Sequence, residues 1–117
     1  MEITQERPGD LIPRHEIDRP DDLEAIAASM AEHGWQGAPV VIDNRMADAG
    51  YLITGRHRAA AAIKASLERI PCVTLADLCA DAGIDLDAYC DGSYDSDWAP
   101  VLAELPAGVR ARYGIQF

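Results

Sequence analysis

The stretch YLITGRHRAAAAIKA, residues 51–65, joins an apolar strand-like segment to a helix-forming run through a single glycine. We expect a strand, a turn at Gly55 and then a helix whose first turn carries Arg56, His57 and Arg58. The amino-terminal end of a helix is the positive pole of its dipole, so three basic side chains destabilise that turn unless an anion lies there. The stretch therefore predicts an anion site; surface pairing of both arginines with nearby carboxylates is the alternative.

The segments on both sides predict the other elements of the same domain. An apolar pair in LIPRHEI (11–17) indicates a strand that leads into a loop. Helical spacing follows in LEAIAASMAEH, with Asp21 or Asp22 as the cap and Gly34 at the end. The remaining predicted elements are a strand buried on both faces at 38–42, a strand at 51–54, a helix from 56 to about 67 and a strand at 69–75. The order β, α, β, β, α, β predicts a compact α/β (α+β) domain.

The last third of the chain is acidic and predicts short helices. LADLCADAGI indicates a helix with its leucines and Cys79 facing inward. The acidic, turn-rich stretch over 85–97 lacks the DxDxDG spacing of a calcium loop and is expected to be a solvated loop. A short helix and a terminal segment complete the chain. We expect residues 1–76 to form the core and 77–117 to form an acidic extension packed on the same domain.

The charge and composition of the 117 residues exclude several classes of function. Twenty acidic residues against ten Lys and Arg give a formal net charge of −10, whereas duplex DNA binding rests on a basic face. We therefore expect no duplex DNA binding and a small anion at the basic turn. No apolar run reaches the roughly 18 residues of a membrane span, and the start MEITQERPGD indicates no secretory signal. Three cysteines without a CxxC motif predict a reduced, cytoplasmic chain without a disulfide framework or zinc site.

The residue types around the glycine suit phosphate chemistry. Gly55 allows a sharp turn and a close approach of a ligand to the first N–H groups of the helix. Such an end binds anions, and arginines add planar charged donors to phosphate oxygens. His57 can donate to the same group or act as an acid or base near neutral pH. Thr54, directly before the glycine, is expected to cap the helix, and the alanines at 59–62 to pack closely on the sheet.

Four stretches, LIPRHEI, LEAIAASMAEHGWQGAPVVI, YLITGRHRAAAAIKASLERIP and CVTL, carry a resemblance over about residues 10–76. The sequence resembles the ParB/sulfiredoxin superfamily, which includes amino-terminal ParB domains, sulfiredoxins and free-serine kinases. The resemblance implies a mixed sheet with flanking helices and a nucleotide-phosphate site at the Gly55 turn, with His57 and Arg58. It also implies that Gln36, in GWQGAP, contacts a base or ribose; a solvent-facing turn is the alternative. Trp35 is expected to anchor the helix end rather than to stack on a base.

Departures from the resembling families narrow the function. Sulfiredoxins carry their catalytic cysteine immediately before the His-Arg pair, where this sequence has Arg56, so reductase activity is not expected. Cys72 lies on the strand after IP and is expected to be a small buried core residue. ParB proteins continue with an ENxxR-type motif and a helix-turn-helix, and nothing after residue 76 resembles either, which argues against a DNA-sliding clamp. Short free-standing copies of such domains are typical of phage and bacterial genomes.

The kinase-like members of the superfamily offer a catalytic role for one carboxylate. They keep a glutamate as base in the loop after the first strand, and the resemblance assigns that position to Glu16; a plain loop carboxylate paired with an arginine is the alternative. They also have an acidic residue just before the glycine, where this sequence has Thr54. Asp18 or Asp43 is then the candidate for metal contacts, and no metal site built by the protein alone is expected.

The resulting hypothesis is a domain that binds ATP or another nucleoside triphosphate, with Mg²⁺. The expected nucleotide-binding residues are Thr54, Gly55, Arg56, His57, Arg58 and Gln36, and the expected catalytic residues are Glu16 and His57. The reaction is phosphoryl transfer to a small hydroxyl acceptor, with the basic turn stabilising the phosphate charge. The alternative is a non-enzymatic module, a DNA-partition or nuclease-like regulatory protein, in which a nucleotide or another anion gates a protein partner. A nuclease of the ParB-like kind is the third reading, and the acidic surface argues against it.

Overall fold

The computed structural model describes residues 2–13, 20–44, 50–86 and 98–115. The elements, in chain order, are β1 (Thr4–Glu6), a 3-10 helix (Pro8–Asp10), α1 (Pro20–His33), β2 (Val40–Asp43), β3 (Tyr51–Leu52), α2 (Arg56–Lys64), β4 (Ile70–Thr74), α3 (Leu75–Ala82), α4 (Trp98–Glu104) and α5 (Ala107–Tyr113). This mixture of strands and helices confirms the predicted α/β (α+β) class. In the described part of the chain, no helix is both long and apolar enough to cross a membrane.

The four strands form one mixed sheet in the order β1-β4-β2-β3. The two central strands, β4 and β2, run parallel, with Val40 opposite Cys72. Each outer strand is antiparallel to its neighbour: β1 pairs with β4, and β3 pairs with β2. The parallel pair lies at the centre, where both faces are covered, as parallel strands require.

Helices cover both faces of the sheet, and the alternation of strand side chains divides the core into two clusters. Val40 and Ile42 of β2 belong to the cluster beneath α1 and α2, whereas Val41 belongs to the cluster beneath α3, α4 and α5. All four residues of β2 are buried, which confirms the predicted strand with two covered faces. The predicted boundary at residue 76 stays a prediction, although α4 and α5 contribute buried side chains to the second cluster.

Helix α1 begins two or three residues earlier than its sequence indicated. The helix starts at Pro20, so the prediction that Asp21 or Asp22 is the cap is wrong, and both carboxylates lie in the first turn. Proline is favoured at the first helical position because its missing N–H has no partner within the helix, and acids in that turn interact favourably with the dipole. The predicted end is confirmed: Gly34 has φ +75° and donates its N–H to Met30 at 2.8 Å.

The first strand was predicted in the wrong place. Strand β1 is the polar segment Thr4–Glu6, at one edge of the sheet. The apolar pair that suggested a strand instead gives Leu11 to the core and Ile12 to a single bridge beside Tyr51. A strand at the edge is defined by its pairing with a distant segment, here β4, and the polar sequence of β1 carries no apolar alternation that would announce it.

The end of α2 and the start of α5 also differ from the expectation. Helix α2 stops at Lys64 rather than near residue 67, because Ser66 turns into the left-handed region with φ +61° and Leu67 donates to the carbonyl of Ala62 at 2.9 Å. The predicted terminal segment, residues 109–117, overlaps α5, which already begins at Ala107 and is followed by Gly114 with φ +69°. The helix predicted in LADLCADAGI is confirmed as α3, with Leu75, Leu78 and Cys79 buried.

Candidate functional site

Helix α2 starts at a glycine that no other residue can replace without strain. Gly55 is the N-cap residue of α2 and has φ +79°, in the left-handed region that favours glycine. A Cβ atom built there would overlap the side chain of Val40 at the start of β2. The absence of a side chain therefore lets the first turn of α2 lie directly against the amino end of a central strand.

Thr54 ties the same turn to the sheet. Its side chain is buried, and its hydroxyl accepts a hydrogen bond from the Val41 N–H at 3.0 Å. The backbone N–H of Ile53 donates to the Val41 carbonyl at 2.8 Å. The prediction that Thr54 caps α2 is wrong, because no side chain caps this helix and the Thr54 hydroxyl is directed to β2 instead. A contact of Thr54 with a nucleotide stays a prediction.

Arg58 reaches from the first turn of α2 to the loop that joins α1 to β2. Its Nη1 donates to the Ala38 carbonyl at 2.5 Å, and its guanidinium carbon lies 4.7 Å from the centre of the Trp35 ring. Burial lowers the pKa of the Arg58 guanidinium from its ordinary value, and arginine stays charged at physiological pH. Among the described residues, Arg58 therefore contacts a carbonyl and an aromatic face rather than the carboxylate that the surface alternative required.

Arg56 and His57 complete the first turn of α2. Both are partly buried and both have interaction partners in the structure. No acidic residue lies in this turn, so nothing in the helix itself offsets the positive dipole end. The structure therefore brings Gly55, Arg56, His57 and Arg58 together, with Thr54 behind them.

Gln36 lies across from this turn, in the loop that Arg58 contacts. It is exposed, and it lines a cavity of about 310 Å³. The other lining residues are Ala25, Ile26, Ser29, Met30, Gly34 and Arg58. Since Arg58 and Gln36 share this cavity, the structure places Gln36 near the glycine turn. The volume falls at the lower end of the range typical of small-molecule sites, and the lining is mostly apolar with a few polar groups.

The remaining predicted site residues are not brought to this turn by the described structure. Glu16 and Asp18 lie outside the described residues. Asp43 is buried at the carboxyl end of β2, the opposite end from Val40, so it lies about 10 Å away along the strand. The candidate metal contact at Asp43 therefore does not adjoin the Gly55 turn.

The contact between Arg58 and Trp35 is the feature that sequence reasoning missed. Trp35 is partly buried and packs on the first core cluster, which confirms its predicted role as an anchor. Its Nε1 atom is buried and has no hydrogen-bond partner within the described part of the chain. The sequence signal that could have indicated an ordered loop was a tryptophan two positions before a glycine, Gly37. In the structure that glycine adopts the left-handed conformation, with φ +91°.

Cys72 has the role that the sequence indicated. The side chain is fully buried on β4, and burial, followed by the charge of Glu6, raises the pKa of the thiol to about 12. A thiol held in its protonated form is a poor nucleophile. The cysteine is therefore a core residue.

Comparisons with known proteins agree with this geometry. The model of the ParB N-terminal domain family matches residues 1–84. A C-terminally truncated chromosome-partitioning protein ParB from Caulobacter crescentus, complexed with CTP-gamma-S, is similar in structure, with a TM-score of 0.54, 21% identity and coverage of 63% of this chain. A sulfiredoxin from Arabidopsis thaliana has a TM-score of 0.50 and 20% identity, and the match covers 63% of this chain and 84% of the sulfiredoxin. No curated protein matches the sequence.

These matches define the class of the protein. The fold is that of the ParB/sulfiredoxin superfamily, as its sequence predicted. Within that superfamily, the chain belongs to the ParB N-terminal domain family. The match spans only 44% of the Caulobacter ParB chain, so the activities of that whole protein are not carried over with the fold.

Proposed function

We propose that this chain binds a nucleoside triphosphate, with the phosphate groups at the Gly55 turn. The observation that carries the proposal is the first turn of α2, which has a glycine N-cap, no side-chain cap and three basic residues. The N–H groups that start a helix have no partner within it, and together with charged donors they form a favourable end for phosphate. Arg56 and His57 supply those donors beside Arg58.

The ParB relative supports the choice of a nucleotide over other anions. That protein was solved with CTP-gamma-S, and this chain shares its fold and its family. The nucleotide proposed is ATP or another nucleoside triphosphate, and the binding experiment below decides among them. Mg²⁺ would be held chiefly by the phosphate oxygens, because the described residues contain no group of three or more His, Cys, Asp or Glu that could hold a metal.

The loop of residues 34–39, which joins α1 to β2, is the proposed neighbour of the nucleoside. Gln36 and Arg58 line one wall of the cavity of about 310 Å³, and α1 supplies an apolar wall through Ile26 and Met30. An amide side chain can both donate to and accept from a base or ribose. The phosphates at the turn and the nucleoside at the cavity would therefore share Arg58 as their common boundary.

Phosphoryl transfer to a small hydroxyl acceptor is the reaction that we propose to test at this site. In it, Arg56, His57 and Arg58 would stabilise charge on the phosphates, and Glu16 would accept the acceptor proton. If nucleotide binds without transfer to any acceptor, the chain is a non-enzymatic module in which the nucleotide gates a protein partner. Both versions rest on the same binding step.

The binding step is tested by thermal unfolding of the chain with ATP, CTP or GTP, each with Mg²⁺. A nucleotide at 100 times its dissociation constant should stabilise the folded state by about 2.7 kcal/mol. Arg56→Ala should weaken that nucleotide about tenfold or more, since a hydrogen bond from a charged donor is lost. Arg7→Ala is the matched control, because Arg7 is an exposed arginine before the 3-10 helix and away from the turn.

The outcome separates the proposal from its rivals. Stabilisation by one or more nucleotides that Arg56→Ala reduces and Arg7→Ala does not is the expected result. Absence of stabilisation by all three nucleotides, or an equal loss in both variants, would remove the Gly55 turn as a nucleotide site. Transfer of labelled phosphate to hydroxyl compounds, assayed in the same samples, then separates the enzyme from the binding module.

A further inference from the structure

Arg58 makes contacts that binding a phosphate does not require. Its Nη1 donates to the Ala38 carbonyl at 2.5 Å, and the guanidinium lies over Trp35 at 4.7 Å. Both partners belong to the loop of residues 34–39, which connects α1 to β2 and which we call the 34–39 loop. One side chain of α2 thus holds a segment about twenty residues earlier in the sequence.

The 34–39 loop depends on outside contacts for its shape. Two of its residues are glycines with positive φ, Gly34 at +75° and Gly37 at +91°. Because glycine adopts many backbone conformations with similar ease, these two residues do not fix the shape of the loop by themselves. The Ala38 carbonyl accepts a hydrogen bond from Arg58, and the Trp35 ring contacts both the first core cluster and the Arg58 guanidinium. Arg58 therefore closes the loop against α2.

The held loop forms part of the cavity wall beside α1. Gly34 and Gln36 of the loop line that cavity together with Arg58. If the loop changed shape, Gln36 would move with it. The Arg58 side chain therefore affects the cavity in two ways: it lines the cavity itself, and it holds the loop that also lines it.

We propose that Arg58 is a positioning residue, which holds the 34–39 loop so that the cavity is shaped for the nucleoside part of the ligand. The proposal rests on the proposed nucleotide-binding function. It assigns Arg58 a contribution to nucleotide affinity that passes through Trp35 and Ala38, beyond its charge at the phosphates. Arg56, on the same turn, is assigned a contact with the phosphates.

Lysine is the substitution that separates the two contributions. Arg58→Lys keeps the positive charge but removes the planar guanidinium. A guanidinium can stack its face on an aromatic ring while its N–H groups donate hydrogen bonds in its own plane, and a lysine ammonium cannot do both. Trp35→Leu removes the aromatic face and leaves the charge of Arg58 in place. Arg56→Lys is the matched control, because it makes the same chemical change two residues earlier in the same turn.

The first measurement uses the protein without any ligand. In a ¹H–¹⁵N spectrum, the Trp35 indole signal is assigned by its loss in Trp35→Phe. We expect Arg58→Lys to shift that signal and to speed its hydrogen exchange about tenfold, since a charged hydrogen bond and a ring contact are lost. Arg56→Lys should leave both unchanged. An unmoved Trp35 indole in Arg58→Lys would overturn the hold of Arg58 on the loop.

The second measurement compares inorganic tripolyphosphate with the nucleotide that stabilises the wild type most. Arg58→Lys and Trp35→Leu should each weaken the nucleotide at least about fivefold more than tripolyphosphate, because only the nucleotide has a nucleoside in the cavity. Arg56→Lys should weaken the two ligands equally. Equal losses for both ligands in Arg58→Lys would reduce Arg58 to a phosphate contact and overturn the positioning role.

Failure of this proposal differs visibly from failure of the proposed function. If the wild type binds neither tripolyphosphate nor any nucleotide, the proposed function fails and the positioning role at a nucleotide site fails with it. If the wild type binds nucleotide and Arg58→Lys shows no selective loss, only the positioning role fails. The indole measurement reports the hold on the loop in both cases.

Discussion

Two helices of this domain, α2 and α3, follow strands and begin in opposite ways. At α3, the Thr74 hydroxyl accepts the Asp77 N–H at 3.2 Å, and Asp77 places an acid in the first turn. At α2, the N-cap is Gly55, no side chain caps the helix, and the first turn is Arg-His-Arg without an acid. The α3 end is completed by its own residues, whereas the α2 end carries an excess of positive charge.

The difference shows which helix end is stabilised by its own residues and which is stabilised by the sheet. A hydroxyl cap and a first-turn carboxylate each stabilise a helix, and α3 has both. Helix α2 has neither a hydroxyl cap nor a first-turn carboxylate. Its start is held instead by contacts with β2, where Gly55 packs on Val40 and the Thr54 hydroxyl accepts a hydrogen bond from the Val41 N–H. The stability of the α2 end therefore resides in the sheet beneath it, which leaves its first turn free of the residues that usually complete a helix.

The largest expected effect sharpens this contrast at two glycines. Gly55→Ala should lower the free energy of unfolding by about 3 kcal/mol or more, because the added Cβ overlaps Val40 and the left-handed conformation is strained for alanine. Gly83→Ala, at the end of α3, should lower it by only about 1 kcal/mol, since Gly83 has φ +75° but open space around it. Urea unfolding of both variants measures the difference.

Equal losses in the two glycine variants would break the comparison. Such a result would mean that the φ angle alone matters and that Gly55 is not packed on the sheet. The two positions are matched in backbone conformation, at +79° and +75°, so the difference between them reports the contact with Val40.

A smaller effect is expected at the two threonines that precede these helices. Thr54→Val should lower the free energy of unfolding by about 2 kcal/mol, because the buried N–H of Val41 loses its acceptor. Thr74→Val should lower it by about 1 kcal/mol, the usual loss for a removed helix cap. Chemical denaturation of the two isosteric variants provides the test, and a larger loss at Thr74 than at Thr54 would contradict the assignment of Thr54 to the sheet.

The smallest effect concerns Cys72, which lies opposite Val40 on the strand that leads to α3. The thiol has a pKa of about 12 when folded and an ordinary value of 9.0, so between these pH values the unfolded chain binds fewer protons. The free energy of unfolding should therefore stay level below pH 9 and fall above it by about 1.4 kcal/mol per pH unit. Denaturation at pH 8 and pH 10 should show a smaller fall in Cys72→Ala than in the wild type. The same slope in both proteins would place the titration elsewhere.

The features of this molecule that depend on neighbouring residues were predicted from the sequence, whereas the features that depend on contacts between distant segments were not. The buried run at β2, the left-handed ends at Gly34 and Gly55, and the apolar face of α3 follow from nearby residues, because propensity and spacing decide them. The polar strand β1 exists through its pairing with β4 and carries no local signal. The hydroxyl of Thr54 and the guanidinium of Arg58 likewise find their partners, Val41 and Ala38, only when the two segments meet.

The position of β1 has a consequence for the order in which the sheet forms during synthesis. Gln5 pairs with Pro71, more than sixty residues later in the chain. A ribosome adding about 5–20 residues per second needs several seconds to make that partner, while β2 and β3 are already available to each other. Strand β1 therefore has no pairing partner until β4 has been made, and its place at the edge of the sheet is filled only after the residues of β2 and β3 have been synthesised.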